Sequence, residues 1–67
     1  MIKLIKKNNN NVSFQIFGEE PLLQMLINAL TLFAKKFGAL TEVNGRIVNI
    51  YCPDSEVTDC IANFELE

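Results

Sequence analysis

Two cysteines, Cys52 and Cys60, two serines, Ser13 and Ser55, and the pair Glu19-Glu20 carry most of the chemical potential of this 67-residue chain. There is no His anywhere in it. A His-based acid/base or triad mechanism is therefore excluded. Two Cys without His fall short of the four ligands of a structural zinc site within one chain. Neither cysteine has a base beside it in the sequence; its neighbours include Asp54, Glu56 and Asp59. Ser13 and Ser55 lack both a His partner and a glycine-flanked elbow. Gly18, Gly38 and Gly45 stand alone, so no glycine-rich phosphate loop exists. Glu19 and Glu20 precede Pro21, where two carboxylates favour the positive end of a helix dipole. No catalytic residue, cofactor site or metal site is expected, and the chain is read as a non-enzyme.

The elements that would position these groups are dominated by one amphipathic helix, Pro21 to Phe37. At about 100° per residue, Leu22, Leu23, Leu26, Ala29, Leu30, Phe33 and Phe37 form one stripe. Met25 and Leu32 widen it on one side, Ile27 and Ala34 on the other. Gln24, Asn28, Thr31 and Lys35 form the polar strip. The apolar arc spans roughly 220°, against about 100° for a helix resting on one layer. A sheet plus a second helix, or a sheet plus another chain, must cover it. Lys35-Lys36-Phe37-Gly38 is a helix stop.

Before the helix, residues 1–7 alternate imperfectly and 12–17 alternate cleanly, as two strands joined by the run Asn8 to Asn11. After it, residues 39–43 and 46–51 read as a hairpin. Asn44-Gly45 supplies the positive φ that a type I′ turn requires at both positions. Asp54 is a candidate N-cap for a helix over roughly 55–65, with Val57, Cys60, Ile61 and Phe64 on its apolar side. The order is ββαββα. The predicted fold is α+β, a four-stranded, mainly antiparallel sheet with both helices on one face, in a single domain over 1–67. The expected core is Leu4, Phe14, Ile16, Leu22, Leu26, Leu30, Phe33, Val48, Ile50, Ile61 and Phe64. The first five elements follow the order found in ubiquitin-like β-grasp and protein G-type domains. That likeness is one of element order, with no shared motif, and order carries no function.

The chain is 49% hydrophobic with a net charge of −2. Residues 1–36 hold five Lys and two Glu, a net of +3; residues 37–67 hold Arg46 and six acids, a net of −5. The acidic C-terminal third disfavours nucleic acid as the main partner, because phosphate binding rests on Lys and Arg. Met1 opens an alternating stretch and not an apolar signal segment, and no apolar run reaches the ~20 residues of a membrane span. A cytoplasmic protein with Cys52 and Cys60 as free thiols is expected. Eight Asn, five Lys and seven Ile match the product of an AT-rich genome, such as that of a phage. Leu66-Glu67 is the dipeptide that a cloning site ahead of an affinity tag leaves.

Strand alternation puts Ile2, Leu4, Val12, Phe14, Ile16, Val48 and Ile50 toward the helices. It leaves Ile5, Phe17, Ile47 and Tyr51 on the back of the sheet with Lys3, Lys7, Ser13, Gln15 and Asn49. The candidate interface is thus Ile5, Phe17, Ile47 and Tyr51, together with Met25 and Leu32 on the helix. Apolar surface that one chain cannot cover implies a protein–protein interaction module, with a homodimer and an unidentified protein as partners. A phage-encoded modulator or inhibitor of a host protein would be one instance. Two alternatives stand beside it. One is a single-stranded nucleic-acid-binding domain that stacks bases on Phe17 and Tyr51 near Lys3 and Lys7. The other is a structural small subunit.

Overall fold

Strands β1 (Ile2–Lys7) and β2 (Asn11–Ile16) form the first hairpin in the computed structural model, which describes residues 1–63. Helix α1 (Leu22–Lys36) follows, then β3 (Leu40–Asn44), β4 (Ile47–Tyr51) and helix α2 (Ser55–Ala62). Every strand pair is antiparallel, in the order β1-β2-β4-β3. The two hairpins therefore meet through β2 and β4.

That central pair builds the core. Val12 lies opposite Ile50 and Phe14 opposite Val48. Opposed residues share a face, and these four plus Ile16 are buried. Leu26, Ile27, Leu30 and Ala34 of α1 and Ile61 of α2 complete the same cluster. Both helices thus cover one face of the sheet, and the fold is α+β, ββαββα. Each fully buried Phe, Leu or Ile side chain contributes about 1.5–3 kcal/mol.

Local chemistry sets the joints. At the end of α1, Gly38 has φ +75°. Its N–H donates to the Lys35 carbonyl (3.0 Å), and the Ala39 N–H donates to the Ala34 carbonyl (3.2 Å). This is a Schellman closure, sealed by contact between buried Ala34 and Ala39. Asp54 caps α2, its carboxylate accepting from the Val57 N–H at 2.9 Å.

Several sequence expectations are corrected. The second hairpin turns one residue later than expected. Asn44 pairs with Ile47, and Gly45-Arg46 form the two-residue loop. Gly45 has φ +58° and no other residue there has positive φ, the arrangement of a type II′ turn rather than I′. Pro21 sits at the N-cap, so α1 begins at Leu22. The register of β1 shifts between Leu4 and Lys6. The bulge turns Lys7 toward the helices, opposite Val12, where it meets Asp59 at 2.7 Å. Lys6, and not Lys7, shares the back of the sheet with Lys3. Helix α1 is rolled toward Ile27 and Ala34, which are buried, and away from Leu22, which is 49% exposed. Leu4, on edge strand β1, is 41% exposed. Phe33 is only partly buried, edge-on to Phe37 at 5.2 Å. Phe64 lies outside the described residues.

Phe14→Ala is expected to destabilise the protein by about 3–5 kcal/mol, the range for a buried aromatic. Leu22→Ala should cost under ~1 kcal/mol. Urea unfolding followed by circular dichroism checks both. Similar losses at the two sites would mean that α1 docks by a different face.

Candidate functional site

On the back of the sheet, the register separates the apolar residues named by the sequence. Gln15 pairs with Ile47, Ser13 with Asn49, and Asn11 with Tyr51. Phe17 follows the end of β2, and its N–H donates to the Met1 carbonyl at 2.7 Å. Phe17 and Ile47 therefore occupy one end of the face. Tyr51 lies four residues along β4 from Ile47, roughly 13 Å away at strand rise, beside Leu40 of β3. Between the two ends the Ser13 hydroxyl donates to Asn49 Oδ1 at 2.5 Å. Ile5 sits at the β1 bulge, outside both groups. The back face is thus two small apolar groups divided by a polar centre.

The other side of the molecule is different. On α1, Met25 and Leu32 are each 62% exposed, and Leu22 is exposed near them. Ala29 between them is half-buried. None of these four belongs to the buried cluster. Next to this flank runs the polar strip, partly self-satisfied. Gln24 Nε2 donates to Asn28 Oδ1 at 3.1 Å, and the Thr31 hydroxyl donates to the Asn28 carbonyl at 3.0 Å.

The two sheet edges also differ. β1 carries Lys3, Lys6, Lys7 and a bulge, which are the usual defences of an exposed edge. β3 reads LTEVN, is exposed at every residue, and has no Lys, Pro or bulge. Beside it lies a groove of about 460 Å³ lined by Thr31, Leu32, Lys35, Ala39, Leu40 and Thr41. Leu40 is 73% exposed. Sequence reasoning missed this edge because strand order was not known. A signal was present in the contrast between the Lys-rich first strand and the Lys-free third.

The Asn run is a junction as well as a turn. The Cys52 N–H donates to the Asn10 carbonyl at 2.8 Å, and Asn11 Nδ2 to the Ile50 carbonyl at 3.1 Å. The buried Thr58 hydroxyl lies 2.9 Å from the carbonyls of both Asn9 and Asp54, and its single proton serves one at a time. Arg46 does similar work at the other end of the sheet, its guanidinium donating to the Gly18 carbonyl at 2.6 Å. These groups are occupied in holding loops, which leaves the apolar surfaces as the candidate site.

Among the described residues, no group of three or more His, Cys, Asp or Glu side chains is placed to share a metal ion. No helix among them is long and apolar enough to cross a membrane. Comparison with protein-family models, with curated proteins and with solved structures finds no match to this chain.

Cys52 and Cys60 are both free thiols, the first buried and the second exposed. A thiol reagent applied to native protein should modify Cys60 promptly and Cys52 only as fast as the fold opens. Mass spectrometry of the time course separates the two. Equal rates would show that the β4–α2 joint is already open.

Proposed function

We propose that this chain is a small non-catalytic protein–protein interaction module that accepts an extended segment of another protein along β3. The observation that supports the reading is the exposed β3 edge, free of Lys, Pro and bulge, beside a groove of mixed polar and apolar lining. An exposed edge strand offers unpaired N–H and C=O groups to a partner's backbone. The groove, with Leu32 and Ala39 among its lining residues, offers contact for its side chains. Backbone pairing supplies affinity and the groove supplies selectivity. A modulator or inhibitor of a host protein would work in this way, in a reducing compartment where both thiols persist. The nucleic-acid alternative has less support, because Phe17 and Tyr51 lie at opposite ends of the back face and Lys7 turns away from it.

Lysine on an edge strand blocks further pairing by placing a charge in the approaching sheet. Leu40→Lys with Val43→Lys should leave the far-ultraviolet dichroism unchanged and abolish partner capture. The measurement is affinity capture from the native host, read by mass spectrometry, with parent and variant in parallel. Equal capture by both proteins would exclude β3 as the docking edge. Salt-sensitive retention on single-stranded DNA or RNA by the parent would instead favour the sheet-face alternative.

A further inference from the structure

We infer that α1 pairs antiparallel with α1 of a second copy of this chain, through a seam formed by Leu22, Met25, Ala29 and Leu32. The inference rests on the interaction-module reading and uses the α1 flank, which shares only Leu32 and Lys35 with the groove beside β3. The spacing of the four residues is three, four and three, the repeat of a two-helix seam. At about 100° per residue the seam points away from the cluster built on Leu26, Ile27, Leu30 and Ala34. Two of its members, Met25 and Leu32, are among the most exposed apolar side chains of the described residues. Ala29 at its middle lacks bulk, so two helix backbones can approach closely there.

Charge selects the occupant and its direction. Glu19 and Glu20 lie just before α1, and Lys35 and Lys36 form its last turn. All four are exposed. A second copy running antiparallel sets Met25 against Leu32 of the other copy. It also brings each acidic end beside the other copy's basic end. A parallel copy would set acid against acid and base against base. The surface is therefore self-complementary in one orientation only, as a two-fold dimer requires. A 15-residue helix is about 22 Å long, so the contact is small and the association concentration-dependent.

Sedimentation equilibrium of the full chain tests this. The parent mass should rise from 7.6 kDa toward twice that value through the micromolar range. Added salt should weaken the association, since the end charges attract. Met25→Glu with Leu32→Glu should hold the protein monomeric at every concentration with unchanged dichroism. Glu19→Lys with Glu20→Lys, or Lys35→Glu with Lys36→Glu, should each weaken association about tenfold. An equimolar mixture of those two variants should restore it, because each end then meets its opposite. A parent that stays monomeric at high micromolar concentration overturns the seam; partner capture through β3 would then still stand. A dimer that survives the two Glu substitutions but is lost with Leu40→Lys and Val43→Lys also overturns it, and puts the second copy on β3. A dimer strengthened by salt rules out the antiparallel arrangement.

Discussion

The register between β2 and β4 is the constraint on which the rest of this structure hangs. It aligns Val12 with Ile50 and Phe14 with Val48, and with Ile16 these are the fully buried residues on the helix-covered face of the sheet. A slip of one residue would carry every side chain of a strand to the opposite face. Asn11, Ser13 and Gln15, or Ile47, Asn49 and Tyr51, would then point at the helices. Burying such polar groups without partners costs several kcal/mol in a domain whose net stability is of that order. The turns reinforce the register. Arg46 bridges to the end of β2 through the Ile16 N–H and the Gly18 carbonyl. At the other end, Asn10 and Asn11 bond to Cys52 and Ile50.

One apolar sheet face has room for two helices, and the chain's route decides how they share it. After α1 the backbone must return at once to edge strand β3. The Schellman closure at Gly38 folds Ala39 under Ala34, and both are buried. That joint draws the C-terminal turn of α1 down on its Ala34 side, and Ile27, two turns earlier on that side, follows it into the core. α2 takes the remaining area over β1 and β2, with Ile61 in the core and Thr58 bonded to the Asn loop. Rolling α1 toward Ala34 leaves the opposite flank, with Leu22, Met25 and Leu32, in water. The wide arc of the helix is thus covered on one side only.

Properties with a local cause were legible in the residues. Element order, the helix stop and the Asp54 cap each follow from a few neighbouring residues, and so does the sharing of one face by both helices. Strand order was not legible, since ββαββα fits several sheets, and the edge character of β3 remained hidden with it. The roll of α1 was also out of reach. Its stripe includes Leu22 and Phe33 on one shoulder and Ile27 and Ala34 on the other, and only the tertiary joint at Ala39 chooses between them. The bulge at Ile5 has no glycine or proline to announce it, so Lys7 was placed on the wrong face. Asn44-Gly45 misled by strength of habit. The pair favours type I′, but Gly45 as the first of the two loop residues serves a II′ turn equally well. For the candidate site, residue types picked out Met25 and Leu32. The register of the sheet was needed to show that Phe17 and Tyr51 stand apart.

The solvent-facing surface of α1 is not uniform. Gln24, Asn28, Thr31 and Lys35 show that the helix carries polar residues where its surface is simply solvated, and they bond partly to one another. The strip beside them carries Leu22, Met25 and Leu32 with no corresponding place in the core. Scattered exposed apolar residues are normal on any protein, but these follow one line at helical spacing with an alanine between them. The helix is bounded at one end by two carboxylates and at the other by two ammonium groups. β3 is similarly lopsided against β1, which holds three Lys and a bulge. Stability of the monomer asks for neither asymmetry. Each is accounted for if the bare α1 flank and the Lys-free edge are contact surfaces that adjoin at Leu32 and Lys35, so that occupying one restricts the groove beside the other.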